Sequence, residues 1–300
     1  MKKKLIIVTG GAGFIGSHLI ENLLKIKKFN KLKIISIDNY FAGNKNNHIK
    51  SNRVKYINCN TVEIKEKLNR YKNNIQSIFH FAEVSRIYQS FLQLKRCLHY
   101  NINGSLAVFN FCLENKIKLI YSATSATIGN FGKDKNLSPY AFTKANNLEL
   151  LERYKEWFKF KYEVIYFYNV YGGRQISKGK MATLIGIFEE QYKNNKPLTV
   201  VRPGTQSRKF TYIEDTIKVC IDAWVKNKCK HYSISSRKDY SILEIAKMFG
   251  KNIKFLPKRP GERNISSITK INLQNKVINR FTSMEIDKYI KLVKKKIDIN

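Results

Sequence analysis

Short apolar runs recur through the first half of the chain, each closed by a polar or glycine-bearing turn. Lys4–Thr9, Lys33–Asp38, Val54–Ile57, Ser77–Phe81 and Lys118–Ser122 are such runs. Most are apolar at nearly every position, the pattern of strands covered on both faces in a parallel sheet. Longer stretches lie between them, with apolar residues every three or four positions: Phe14–Lys28, Val62–Tyr71, Gln89–Asn115 and Tyr140–Phe158. These predict helices. Val164–Tyr168 and His231–Ile234 are two further candidate strands. The alternation predicts an α/β fold over residues 1–171, a doubly wound parallel sheet of Rossmann type. After about Gly172 the pattern loosens. Helices near Met181–Asn194, Ile213–Lys226 and Ile242–Phe249 are separated by segments carrying Pro197, Pro203-Gly204, Pro257 and Pro260-Gly261. Residues 172–300 therefore predict a smaller C-terminal lobe, with His231–Ile234 returning to the main sheet.

The first strand runs into Thr9-Gly10-Gly11-Ala12-Gly13-Phe14-Ile15-Gly16-Ser17, and a helical pattern follows at once. Glycines are needed where a chain turns sharply and where backbone approaches a pyrophosphate without Cβ interference. The helix start then offers unpaired N–H groups to the phosphates. Asp38 ends the next strand, where a carboxylate binds both hydroxyls of an adenosine ribose. Its charge repels a 2′-phosphate, which favours NAD over NADP, although Lys45 and Arg53 lie downstream to offset it.

Ser138-Pro139-Tyr140-Ala141-Phe142-Thr143-Lys144 opens a predicted helix. Tyr140 and Lys144, at i and i+4, project from one face. An ammonium near a phenol stabilises the phenolate, which suits Tyr140 to general acid/base work, although the same spacing also arises as decoration of an exposed helix. A hydroxyl-rich strand end, with Thr124 and Ser125, precedes it and offers a second hydrogen bond to the same oxygen.

Composition narrows the remaining classes. The chain has 300 residues, with Lys+Arg 56 against Asp+Glu 22 and a formal charge of +34. Hydrophobic residues at 43% suffice for a core and argue against disorder. No apolar run is long enough to span a membrane. The basic start, Met1-Lys2-Lys3-Lys4, leads into glycines that fit a strand and turn better than a leader peptide, so a cytoplasmic protein is expected. Five cysteines without a CxxC spacing point to reduced thiols rather than disulfides or a metal site. The lysines are scattered among many Ile and Asn, as compositional bias scatters them, with no arginine-rich tract. Nucleic acid is thereby disfavoured as a partner, and a positive field instead helps gather an anionic small substrate.

In order along the chain, these segments resemble the extended short-chain dehydrogenase/reductases, specifically the NAD-dependent nucleotide-sugar epimerase/dehydratase family. Thr9–Ser17 resembles its TGGxGFIGS opening, Asp38-Asn39 its DN pair, His80-Phe81-Ala82 its HLAA segment and Asn101–Ser105 its NVxGT segment. Ser125-Ala126-Thr127, Ser138–Lys144, Phe167–Gly172 with Arg174, Arg208–Asp215 and Arg259–Glu262 resemble its SATVYG, SPYGxSK, YFNVYGPR, RDFxYVxD and RPGD segments. The resemblance implies NAD held by Gly10, Gly13, Phe14, Ile15, Gly16, Asp38, Asn39, Phe81, Ala82, Asn101, Tyr140 and Lys144. It implies catalysis by Tyr140 and Lys144 with Ser125 or Thr124. The C-terminal lobe would bind a nucleotide-diphosphate sugar through Asn169, Arg208 and Arg259. It implies epimerisation through a transient 4-keto sugar, most simply of a UDP-hexose or UDP-N-acetylhexosamine. A dehydratase, a reductase or a heptose-type epimerase are alternatives, the last on a faint likeness at Lys178–Ala182. From another class, an RNA-binding protein on the same fold with vestigial catalysis is the rival reading. A homodimer through Gln89–Asn115 and Tyr140–Phe158 is also implied, with Leu92, Leu106, Phe109, Leu148 and Leu151 as the apolar stripe.

The chain departs from the pattern in places. The acidic segment after the third strand reads Asn58-Cys59-Asn60-Thr61. The stretch from Ser125 to Tyr140 is short, which opens the sugar pocket. Position 83, an alanine in HLAA, is Glu83: either a solvated turn residue or an extra acid/base at the substrate. No Asp-Glu pair follows Ser125, which favours epimerase over dehydratase.

Overall fold

The computed structural model describes residues 4–262 and 277–299. Strands β1 (Leu5–Thr9), β2 (Lys33–Asp38), β3 (Val54–Asn58), β4 (Ile75–His80), β5 (Lys118–Thr124) and β6 (Tyr162–Phe167) come first. β7 (Asn169–Tyr171), β8 (Leu198–Val201), β9 (Ser207–Arg208) and β10 (Phe210–Tyr212) follow, then β11 (His231–Ser235), β12 (Tyr240–Ser241), β13 (Ile253–Leu256) and β14 (Val277–Phe281). The helices are α1 (Phe14–Lys25), α2 (Ile64–Leu68), α3 (Ile87–Leu92), α4 (Leu94–Leu98), α5 (Ser105–Glu114), α6 (Pro139–Phe158), α7 (Leu184–Lys193), α8 (Ile213–Lys226), α9 (Ile242–Phe249) and α10 (Ile286–Ile299).

An eight-stranded parallel sheet runs in the order β14-β11-β6-β5-β4-β1-β2-β3. The α/β doubly wound fold expected from the alternating pattern is the fold observed. Alternate residues of β1 feed two cores: Leu5 and Ile7 face a layer with Phe109, Phe111 and Leu151, while Ile6 and Val8 face Leu19, Ile20, Ile217 and Trp224. Burial on both sides is why Leu5–Val8 of β1 are all apolar. Chain order reverses between β1 and β4, and a cleft forms beyond the carboxyl ends of the strands at that switch point.

His231–Ser235 pairs with Val164–Phe167 inside the main sheet, and Val277–Phe281 adds a strand that the apolar pattern did not suggest. A separate core, with Phe188, Val200, Phe210, Ile245, Phe249 and Ile290, sits under α7, α9 and α10.

Two predicted helices need correction. Gln89–Asn115 is not one helix but α3, α4, a π-helical turn over His99–Gly104, and α5. Gln93 leaves helical geometry at φ −129 and ψ 45. In the π-helical turn, Asn101 aims its side chain at the backbone of Val84 rather than along the helix. Val62–Tyr71 shortens to α2, because Asn60 and Glu63 form a capping box on a 3-10 turn before it and Asn69–Asn74 is 3-10 after it.

Candidate active site

The first wall of the cleft is the glycine turn. Gly10 takes φ +72, and a Cβ there would lie 3.0 Å from the Ala82 amide nitrogen. A Cβ on Gly16 would overlap the Gly10 carbonyl and sit 2.8 Å from Gly11 Cα, so α1 packs against the turn only with glycine. No side chain caps α1, whose first turn (Phe14, Ile15, Gly16) opens on the cleft with its N–H groups without helical partners. Asp38 is 6% exposed and held from both sides: Ala12 N–H donates to Oδ2 at 3.0 Å and Tyr40 N–H to Oδ1 at 2.8 Å. Burial raises its pKa, and the two backbone donors oppose that rise. Asn39 donates to Asn60 Oδ1 at 2.7 Å and accepts from Phe41 N–H, which fixes the turn after β2. Burial pushes the Cys59 thiol at the cleft wall up to about 11, so it stays neutral. A helix start free of side-chain caps, a cradle that a Cβ would fill and a buried carboxylate at the end of β2 together fit a dinucleotide.

The second wall is α6. Ser138 accepts from Ala141 N–H at 3.1 Å and Pro139 takes the first helical position, so the helix starts where Tyr140 meets the cleft. Tyr140 is 9% exposed, and Ser125 at the end of β5 is 4% exposed, both on the cleft wall. Thr124 also reaches the wall, but its Oγ1 accepts from Ala126 N–H at 3.2 Å as a cap.

Lys144 is buried, and its Nζ donates to Glu83 Oε2 and to the Ser122 carbonyl, with Ser122 Oγ at 3.4 Å. Its ammonium lies 4.6 Å from the centre of the Tyr121 ring. Burial lowers its pKa and the Glu83 carboxylate opposes that drop. Glu83 is therefore not a solvated turn residue: its side chain is 2% exposed. Oε1 accepts from Ser105 Oγ at 3.1 Å, Tyr121 OH at 3.0 Å and Asn147 Nδ2 at 3.2 Å. A carboxyl that meets donors only is a carboxylate. Behind it, His80 Nε2 lies 2.9 Å from Ser105 Oγ and His80 Nδ1 2.7 Å from Thr9 Oγ1. Since the Ser105 hydroxyl donates to Glu83, His80 Nε2–H donates to Ser105 and Nδ1 accepts from Thr9. Burial first, and Lys144 second, push the His80 imidazole down to about 3.

The whole cleft is about 630 Å³ in volume, and Phe81, Ala82, Asn169, Arg208 and Arg259 also line it. Arg208 donates to Glu262 Oε2 at 3.2 Å and to the Ser207 carbonyl. The Arg259 guanidinium lies 4.9 Å from the centre of the Tyr88 ring. Asn169 donates to the Lys209 carbonyl at 2.8 Å. Asn101 is not on the wall. It is fully buried and holds Val84 N–H, the Val84 carbonyl and Thr143 Oγ1, so it acts as a strut behind the loop after β4.

Sequence reasoning missed two cationic lining residues, Arg86 and Lys180, and the buried partners Ser105, Tyr121 and Asn147. Arg86 donates through Nε to the carbonyls of Met181 and Ala182, joining the loop after β4 to the C-terminal lobe. Its place just beyond the end of an apolar strand was the available signal. Asn147, three residues after Lys144, was readable as a same-face neighbour.

A sequence model of the NAD dependent epimerase/dehydratase family matches residues 6–235. A Bacillus subtilis protein described as an uncharacterized UDP-glucose epimerase is 33% identical over 232 residues, spanning 71% of this chain and 70% of that protein. The solved UDP-N-acetylglucosamine 4-epimerase of Methanobrevibacter ruminantium, in complex with UDP-N-acetylmuramic acid, is 26% identical. Its TM-score is 0.80, over 99% of this chain and 98% of that one. The Thermus thermophilus UDP-glucose 4-epimerase in complex with NAD has a TM-score of 0.83 at 22% identity, over 98% of this chain and 99% of that one, which shows the shared fold.

Proposed function

The chain belongs to the NAD dependent epimerase/dehydratase family, and we propose that it is a nucleotide-sugar epimerase, with a UDP-hexose or UDP-N-acetylhexosamine inverted at C4 as the specific reading. The observation that carries this is the meeting of Tyr140, Ser125, the glycine turn and Asp38 on one cleft that Arg208 and Arg259 also line.

The chemistry that NAD supplies when bound is reversible hydride transfer at a sugar carbon. Gly10, Gly13 and the first turn of α1 take its pyrophosphate, and Asp38 takes its adenosine ribose. The absence of a 2′-phosphate is supported by Arg53, whose guanidinium donates to the carbonyls of Leu24, Phe29 and Asn30, and by Lys45, which lies over the Tyr40 ring. Tyr140 removes the proton from the sugar hydroxyl as its carbon becomes a ketone, and returns it after the sugar has turned over. Ser125 holds the same oxygen. Thr124, already a cap, supports the strand end instead. Arg208 and Arg259 bind the diphosphate, for which a planar guanidinium is suited.

The carboxylates of the wall support epimerisation over dehydration. Loss of water needs an acid and a base beside the sugar. Among the described lining residues, Asp38 is held by two backbone donors, Glu83 by Lys144, and Glu262 by Arg208. Ala126 and Thr127, which follow Ser125, supply neither group, and Thr127 Oγ1 donates to the Thr124 carbonyl.

A homodimer also belongs to this reading. Phe109 and Leu151 are buried in the chain's own core and Leu148 packs against it, which removes them from the expected stripe. Leu92, Leu94, Leu98 and Leu106 on α3–α5 and Trp157 on α6 remain exposed and form the proposed surface.

The test is incubation with a panel of UDP-, GDP-, CDP- and ADP-sugars, read by mass spectrometry and NMR. Unchanged mass with a new ring configuration is expected, and loss of water would instead establish a dehydratase. Tyr140→Phe is expected to lower turnover by about 10²–10⁴ while NAD stays bound. Full turnover in that variant would refute the assigned base.

A further inference from the structure

The carboxylate at position 83 stands where the family segment carries alanine, and it lies against the one lysine assigned to catalysis. Lys144 donates to Glu83 Oε2, to the Ser122 carbonyl and weakly to Ser122 Oγ, so its three protons have partners on β5 and on the loop after β4. Both side chains are almost wholly enclosed, at 4% and 2% exposure. Three further donors (Ser105, Tyr121 and Asn147) hold the other carboxylate oxygen. The ion pair is therefore a built feature, braced from β5, α5 and α6, rather than a chance contact.

We propose that Glu83 is a positioning residue that acts through Lys144: it clamps the ammonium against β5, offsets its charge, and thereby moves the working pH of Tyr140 upward. This inference rests on the proposed role of Tyr140 as acid/base.

The groups around the pair set the direction of this effect. On β4 and the loop after it stand His80, Glu83 and Arg86; on β5, Tyr121; on α4, Cys97; on α6, Tyr140 and Lys144. Burial keeps His80 neutral, pushes Cys97 up to about 11 and holds Tyr121 as a phenol. Glu83 and Lys144 are joined as an ion pair, with Arg86 the other basic side chain beside them. An unpaired ammonium favours the Tyr140 phenolate. A carboxylate fixed on that ammonium disfavours it twice, by cancelling the positive field and by adding a like charge. Screening by solvent is weak in an enclosed site, so the effect is not lost.

The experiment is the titration of Tyr140 itself, read by NMR of tyrosine labelled at Cζ, in the full chain without and with NAD. The Tyr140 signal is identified by its loss in Tyr140→Phe. In Glu83→Gln, Tyr140 is expected to ionise about one pH unit lower than in the unaltered chain, a tenfold change in its ionisation constant. Glu83→Asp, which keeps the charge, is expected to titrate as the unaltered chain does. A Tyr140 titration that coincides in Glu83→Gln and the unaltered chain, or moves upward, overturns the proposal. Should Glu83→Gln not fold, Glu83→Ala carries the same two outcomes, since alanine is what the family segment holds there. The titration needs no turnover, so failure to epimerise any sugar would refute the functional reading while leaving this result legible.

Discussion

His80 offers the most quantitative check on the network behind the site. Its ring is completely buried between Thr9 and Ser105. Protonation would place a second N–H against Thr9 Oγ1, which already accepts from the amides of Phe81 and Ala82. The imidazole is pushed down from 6.5 to about 3. A depressed histidine contributes stability that is present above the unfolded value and lost as pH falls toward the folded one. Between about pH 7 and about pH 5 the unfolded chain gains roughly three-quarters of a proton at this position while the folded chain gains almost none. The loss is then about 2 kcal/mol from this one group, at 1.36 kcal/mol per pH unit. Urea unfolding at the two pH values measures it, with His80→Gln as the reference that cannot titrate. His18, also depressed by burial, stays in both proteins and cancels in the comparison. The variant is less stable throughout, but its stability should fall by about 2 kcal/mol less over the window. Equal losses in the two proteins would refute a neutral, enclosed His80.

Asp38→Asn leaves one of the two backbone donors, Ala12 N–H or Tyr40 N–H, facing an amide nitrogen, and removes the charged acceptor proposed to hold the adenosine ribose. NAD affinity, measured by calorimetry, is expected to fall by about 10- to 150-fold, from roughly 1.5–3 kcal/mol for a charged hydrogen bond. If the proposed dimer forms through the exposed stripe, Leu92→Glu is expected to raise its dissociation constant at least about tenfold, since burying one leucine contributes roughly 1.5–3 kcal/mol, as read by sedimentation equilibrium.

The parts of the molecule legible in its sequence are those whose chemistry is local. The apolar runs of β1, β2 and β5 give strands because both faces are buried, and each run states that on its own. Ser138 and Pro139 announce the start of α6, and the spacing of Tyr140 and Lys144 follows from helix geometry alone. The glycine turn and Asp38 are separated by only one crossover. The break of Gln89–Asn115 was not legible, because it depends on Asn101 reaching the backbone of Val84 and on Gly104 leaving room for Thr61. The strand Val277–Phe281 was missed because its pattern Val-Ile-Asn-Arg-Phe lacks a continuous apolar run, as befits the edge of a sheet.

Glu83 shows most clearly where local reading stops. At position 83 the sequence displays a carboxylate just after a strand, and such a residue is ordinarily solvated. What reverses that expectation is the pairing of β4 with β5, which sets Glu83 beside Ser122 and Tyr121, and the packing of α6, which brings Lys144 and Asn147 onto it. None of those partners lies within twenty positions along the chain. A motif names the type of group that catalysis requires. The charge that group feels is fixed by neighbours the motif does not contain, and in this chain the neighbour is an anion on the lysine that the motif treats as free.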